Sequence, residues 1–306
     1  MNFRHLKIFV TVCDMGNMTR AAKSLYLTQP SVSQAISELE TYYGVRLFER
    51  LNHRLYLTAA GERLRPFALH ILNLSEQAHK ELADLSQGGS IRIGASLTIG
   101  AYLLPGLVAG FHLQIPQVEV YTRVDNTNVI EKLILDDQLD LGMVEGPISS
   151  PHISEEFFCD DTLVFIASTR HPLARLRKCT VKDLLEQAFI VREEGSGTQS
   201  IFEHAMLEIG VSWKKAGVYN NNEAIKQAVG ENLGLAMVSK IAIAEEVKQG
   251  KIVVLDVEGV FLKRKFNLVY HKQKVFTHAM TLFWDTSKTA IGERYGYNSF
   301  PSNLIQ

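Results

Sequence analysis

The sequence predicts an all-α winged helix-turn-helix head, a long linking helix and a two-lobed α/β body. Three observations predict it. Residues 1–57 hold three short runs of helical apolar spacing followed by a hairpin-like stretch. Residues 58–86 keep helical period without a break. From residue 91 onward, short β-type runs alternate with helical ones, the pattern of parallel α/β sheets.

The 306 residues suit two to three domains, and a hydrophobic content of 46% allows a substantial core. The N-terminal MNFRHLKIFVTVCDMG is amphipathic with internal charges, unlike a signal peptide, and no apolar run reaches the roughly 18 residues of a membrane span. Cys13, Cys159 and Cys179 lie far apart with no metal-ligand spacing, which fits a reduced, cytoplasmic setting.

Taken in order, the first predicted helix covers Phe3–Met15, with Phe3, Leu6, Phe9, Val10 and Cys13 inward and Gly16 as its stop. Thr19 is the expected cap of a second, short helix whose Ala21, Ala22 and Leu25 face inward. Only Tyr26-Leu27-Thr28 then intervene, and helices joined so tightly form a helix-turn-helix unit. In the third helix, Thr28 caps and Pro30 occupies the first turn, where its missing N–H costs nothing. Val32, Ala35, Ile36, Leu39 and Tyr43 form one apolar stripe; Pro30, Ser33, Gln34, Ser37 and Thr41 form the opposite face. Such short polar side chains let a helix approach base edges closely. Residues 45–57 read as a wing of two short strands around Leu51-Asn52-His53, with Arg50 and Arg54 near its tip.

A polar helix face is ordinarily just solvated. The charge distribution favours more. Residues 1–65 carry nine Lys/Arg against five Asp/Glu, leaving twenty-three against twenty-eight in the rest. A basic head on an acidic body is the footprint of a phosphate-binding module.

The long helix opens at Thr58 and runs to about residue 86. Leu64, Ile71, Ala78 and Leu85 recur every seven residues, Phe67 and Leu74 take the d-like positions, and Leu82 is one place out of step. Such a seam wants a partner helix, the alternative being packing on its own domain. Pro66 should bend the helix near its start. After the joint Gln87-Gly88-Gly89-Ser90, the body has predicted strands at 91–94, 118–124, 139–144, 189–191, 217–219 and 233–238. Its predicted helices cover 102–113, 129–135, 199–209 and 223–231. LDLGMV at 139–144 and LGLAMV at 233–238 look like corresponding strands of two similar lobes. A last helix is expected at 275–287, and the stretch from Gly292 is expected to be loosely held.

The run AAKSLYLTQPSVSQAISELETYYGVRLFER, followed by LTAAG, closely resembles the N-terminal domain of LysR-type transcriptional regulators. The resemblance implies a winged helix-turn-helix whose second helix enters the major groove of double-stranded DNA. By position it implies DNA contacts from Thr19, Arg20, Thr28, Gln29, Pro30, Ser31, Ser33, Gln34 and Ser37, with Arg50 and Arg54 at the wing. Gln34 stands where many members have Arg, and its amide suits adenine better than guanine. The family pattern also implies a dimerising linker helix, a homodimer or homotetramer, a small-molecule co-inducer and RNA polymerase as a further partner. It divides the chain into 1–58 (DNA-binding), 59–90 (linker and hinge) and 91–306 (effector-binding). The last resembles periplasmic solute-binding proteins, with lobe I at about 91–161 and 267–306, lobe II at about 162–266, and paired crossover strands between them.

In open α/β folds ligands bind beyond the C-terminal ends of the strands. That rule selects Ser96 and Thr98, Glu145, Ser196-Gly197-Thr198-Gln199, and Asn222-Glu223 as effector-binding residues. Helix N-termini facing each other across a cleft suit a small anion, although Ser, Thr and Gly at these places can equally be simple caps. TIGAYLLP, EGP, EEGSGT and NNEAIK resemble a branch of the family that includes regulators of carbon fixation and of sulfite or sulfur metabolism. Gln199 replaces the Arg that usually follows GSGT in that branch, leaving less positive charge in the cleft.

Catalysis is not expected. No Gly-Lys-Ser/Thr follows GSGT, His204 and Glu208 lack further metal ligands, and no nucleophile–base–orienter set is visible, so no cofactor is expected. A solute carrier would share the body, but the basic head and the missing signal sequence argue against one.

Overall fold

The computed structural model describes residues 1–51, 54–83 and 89–295, without the side chains of residues 50, 51, 54, 77, 80–83 and 293–295. The chain divides into two compact units: Met1–Ser86 with Leu135–Asp137, and Gln87–Ile134 with Gln138–Gln306.

The first unit contains α1 (Phe3–Met15), α2 (Met18–Ser24), α3 (Gln29–Tyr43), the hairpin β1 (Phe48–Leu51) and β2 (Arg54–Leu57), and α4 (Ala59–Ala83). Among its described residues the core is wholly apolar. Leu6, Phe9 and Val12 of α1, Ala21 and Ala22 of α2, and Val32, Ile36 and Leu39 of α3 bury together with Leu47, Phe48 and Ala68. Gly16 and Gly44 end α1 and α3 in the left-handed region, where a side chain would be strained.

Three expectations need correction here. Asn17, not Thr19, caps α2: its Oδ1 accepts from the N–H groups of Thr19 and Arg20, so the helix starts earlier than a Thr19 cap would place it. Phe3 is exposed because the first turn of α1 extends beyond the core. Tyr43, at the far end of the α3 stripe, is also exposed, donating its hydroxyl to Met1 Sδ. The wing is tied to α3 by Glu40, whose carboxylate accepts the N–H groups of Leu47 (2.8 Å) and Phe48 (3.3 Å). Thr58 opens α4 by accepting from Gly61 N–H. α4 runs on through Pro66, its Leu64, Ala68, Leu69 and Leu72 packing on the head while Phe67, Ile71 and Leu74 stay exposed. Leu82 and Leu85 of the expected seam, and the wing tip at 52–53, lie outside the described residues or side chains.

In the second unit, β3 (Ser90–Ala95) lies between β4 (Glu119–Val124) and β5 (Leu141–Val144), all parallel. α5 (Leu97–Tyr102), α6 (Leu104–Gln114) and α7 (Thr127–Leu135) make the crossovers, α5 being a separate element in front of the expected 102–113 helix. With α11 (His278–Tyr295) they cover the first lobe, whose core centres on Phe111, Phe158, Phe283 and Trp284. α11 continues past Gly292, where the sequence predicts loose packing.

The second lobe has β7 (Ala188–Arg192) and β8 (Lys214–Tyr219) in parallel, with α8 (Gly197–Glu208), α9 (Asn222–Gly230) and β9 (Ala236–Ser239). α10 (Ala244–Lys248) and β10 (Ile252–Leu255) complete it. Phe189 and Phe202 anchor the core on one face of its strands, Ile190 and Val229 the core on the other.

The paired crossover strands that the resemblance implies join the lobes, and they bring antiparallel pairing into the otherwise parallel pattern. β6 (Ile153–Ser168) and β11 (Leu262–His271) are long antiparallel neighbours that pair with strands of both lobes, so one seven-stranded mixed sheet runs through the unit. A register shift at Phe266/Asn267 marks where β11 passes into lobe I. Among the described residues no helix is long and apolar enough to cross a membrane.

Candidate functional site

Two groups of side chains stand out. The first is the exposed face of α3. Thr28 Oγ1 accepts from Ser31 N–H and lies 2.8 Å from Ser31 Oγ, fixing the start of the helix. From there Pro30, Ser31, Gln34 and Ser37 are exposed or half-buried, as are Gln29 and Ser33. Thr19 and Arg20 are exposed in the first turn of α2. A groove lined by Ser33, Ser37, Glu40, Arg46 and Glu49 separates α3 from the wing. The side chains of Arg50 and Arg54 are outside those described.

The second group is buried where the lobes meet. Ser96 heads α5, Thr98 lies in its first turn, and both hydroxyls donate to the two oxygens of Glu145, at 2.8 and 3.0 Å. Thr198, in the first turn of α8, accepts from Arg264 Nη1 at 2.8 Å. Arg264 is the hub: its Nε donates to Asp161 at 2.7 Å, its Nη2 reaches Thr98 Oγ1 at 3.4 Å, and its Nη1 lies 3.8 Å from Glu145. Ser239 donates to the other oxygen of Asp161 at 2.6 Å, and Asn222 Nδ2 reaches Thr98 at 3.4 Å. Arg264 and Asp161 face each other directly across β11 and β6. Burying a cation this deeply requires such a partner and a full set of acceptors.

The lobes touch backbone to backbone beside this cluster. A Cβ on Gly197 would stand 2.4 Å from Gly146 Cα, so glycine is required on both sides. Ser196, at the head of α8, is 2% exposed, yet its Oγ has no hydrogen-bond partner among the described groups; nor has Thr127 Oγ1, which faces the Gly146–Gly197 contact. Buried hydroxyls are ordinarily satisfied, so these two are unspent donors.

The structure thus brings Ser96, Thr98, Glu145, Ser196, Gly197, Thr198 and Asn222 to the meeting of the lobes. Gln199 turns back into its own lobe, accepting from Arg192 N–H and donating to Glu203. Glu223 is exposed and engages Lys226 and Gln227, which hold its carboxyl below its ordinary value. Lys226 bridges Glu246 (2.6 Å) and Glu223 (2.9 Å) and reaches the Tyr102 hydroxyl of the other lobe at 3.4 Å. Burial opposes its charge, but the carboxylates of Glu246 and Glu223 more than offset that and push its pKa up. Among the described residues no cluster of His, Cys, Asp and Glu could hold a metal ion.

Sequence reading missed Arg264, Asp161, Ser239 and Thr127. A signal was present for the first two. In LKRKF and CDDTL, strand alternation puts Arg264 in phase with Phe266, and Asp161 in phase with Cys159 and Leu163. Charges of opposite sign at two inward positions were the clue.

A head with an exposed polar recognition helix and a body with polar groups closed between two lobes define a ligand-responsive DNA-binding regulator. Residues 3–62 match the bacterial regulatory helix-turn-helix proteins of the lysR family, and residues 86–291 match the LysR substrate binding domain. The chain belongs to the LysR family of transcriptional regulators. It is 33% identical to the transcriptional activator CmpR of Synechocystis over 91% of this chain and 92% of that one. It is 34% identical to the RuBisCO operon transcriptional regulator of Allochromatium vinosum, over 92% and 94%. Its fold is similar to the regulatory domain of Synechocystis CcmR in complex with 2-PG, with a TM-score of 0.62 and 27% identity over 66% of this chain and 97% of that one.

Proposed function

We propose that the protein binds dyad-symmetric promoter DNA as a dimer or tetramer and alters its grip when a small anion enters between the lobes. On this reading Gln29, Pro30, Ser31, Ser33, Gln34 and Ser37 meet base edges and nearby phosphates. Thr19, Arg20 and Thr28 meet the backbone, and Arg50 and Arg54 follow it at the wing. Phe67, Ile71 and Leu74, exposed in a row on α4, supply the seam through which two copies associate.

One observation carries the anion: the N-terminus of α8 presents a buried, unpartnered Ser196 hydroxyl beside Thr198, which is bound to Arg264. Free N–H groups, a helix dipole, a hydroxyl and a guanidinium together favour a compact oxyanion. Glu145 holds Ser96 and Thr98 as an internal carboxylate, so an anion bound there competes with it for both hydroxyls. CcmR, with its 2-PG, is a relative in fold that takes a small ligand in the corresponding domain.

The test has two arms. Fluorescence anisotropy on duplexes selected from random DNA should show tight binding that weakens steeply with salt; affinity equal to that for random duplex would refute the DNA reading. Thermal shift with phosphate, sulfate, sulfite, bicarbonate and 2-PG should single out at least one stabiliser; no shift with any would refute the anion.

A further inference from the structure

The amide of Gln34 is held from outside its own helix. Asn2 caps α1 in a reciprocal box, its side chain accepting His5 N–H while His5 Nδ1 accepts Asn2 N–H at 3.2 Å. With Nδ1 used as an acceptor, the imidazole donates through Nε2, which lies 2.8 Å from Glu38 Oε2. The other oxygen of Glu38 receives Gln34 Nε2 at 2.9 Å. A carboxylate only accepts, so Gln34 must turn its nitrogen toward Glu38. These hydrogen bonds, Gln34's first and then His5's, hold the Glu38 carboxyl below its ordinary value and keep it an acceptor.

We propose that Glu38 and His5 are positioning residues that set the polarity of the Gln34 amide, so that α3 selects adenine over guanine at the base pair Gln34 meets. The inference rests on the reading of Gln34 as a base contact. With one N–H committed to Glu38, Gln34 keeps one donor and a free oxygen. Adenine offers the matching pair in the major groove, an acceptor at N7 and a donor at N6. Guanine offers only acceptors, N7 and O6, so the free oxygen would face an acceptor there. A Gln–Glu pair one turn apart on a helix is common by itself. Here a third residue from another helix, oriented by that helix's own cap, holds the pair.

The test uses the full chain. Selection from a pool of randomised duplex DNA gives the wild-type preference at each position, and anisotropy on the four duplexes that differ at the position relaxed by Gln34→Ala gives its size. Glu38→Ala should erode the adenine-over-guanine preference there by roughly tenfold, while binding random DNA more tightly because a negative charge beside the duplex is gone. Glu38→Gln, which presents its own N–H to Gln34 and turns the amide around, should also move the preference away from adenine. His5→Phe should do the same to a smaller extent. Adding Glu38→Ala to Gln34→Ala should change that preference no further. If Gln34→Ala relaxes one position and neither Glu38 variant touches it, the inference is overturned while the base contact stands. It is overturned in the same way if Glu38→Ala weakens all sequences equally, the signature of a merely structural role. If Gln34→Ala relaxes no position, the base contact itself is wrong and the inference falls with it.

Discussion

The head and the body place their chemistry in opposite ways. Among the described residues of the head no polar or charged side chain is buried, and Thr19, Arg20, Thr28, Gln29, Pro30, Ser31, Ser33, Gln34 and Ser37 all lie exposed or half-buried around an apolar core. The body buries Ser96, Thr98, Glu145, Asp161, Ser196, Thr198, Asn222, Ser239 and Arg264 where its lobes meet. A surface that meets a large polyanion needs its groups ready in water. A site that distinguishes small ligands needs them desolvated and tied to one another, where each is worth more and costs more to disturb. Mutations in the two regions should therefore fail differently.

The largest effect should come from the hub of the body. Arg264→Met leaves Asp161 buried without its partner, and urea denaturation should show a loss of about 3–5 kcal/mol. Changing Asp161 to Leu in the same chain should restore much of it; a loss that persists would mean that packing, not charge, is at stake. Next is Leu39→Ala in the head, a packing loss of about 2–5 kcal/mol. It should abolish DNA binding while any anion-induced rise in the body's melting temperature is kept. Loss of both would break the contrast between a self-contained head and a self-contained sensor. Gly197→Ala drives a methyl against Gly146 and should cost about 1–3 kcal/mol, together with a weaker response to the anion. Smallest of all should be Ser196→Ala. Its hydroxyl has no partner to lose, so the stability change should stay within about 0.5 kcal/mol, and only ligand response should suffer.

The same contrast explains what was legible in the sequence. The bounds of α1 and the start of α3 could be read because their apolar stripes face one core and their caps are local: Gly16 ends α1 and Thr28 opens α3, each within a turn of its helix. Thr19 misled because two polar residues two apart, Asn17 and Thr19, are both good caps and only geometry chooses between them. In the body, the loops after the strands pointed to Ser96, Thr98, Glu145 and Ser196–Thr198, because strand ends and helix starts are local signals. Arg264 was out of reach of that rule. It comes from mid-strand and is 166 residues from Thr98, which it joins only after the crossover strands align it opposite Asp161. The continuous mixed sheet was hidden for a related reason: β6 is a single 16-residue strand whose first half belongs to one lobe and second half to the other.

On the proposed function, events between the lobes govern how the head sits on DNA. The most direct test is a footprint of the full chain on a selected dyad-symmetric duplex, with and without the stabilising anion, for the wild type and Ser196→Ala. The wild-type footprint should change in length or affinity when the anion is added, and the Ser196→Ala footprint should stay as it was at the same concentration. A Ser196→Ala protein that responds like the wild type would contradict the placement of the effector at the head of α8. A wild-type footprint unmoved by the bound anion would contradict the coupling itself.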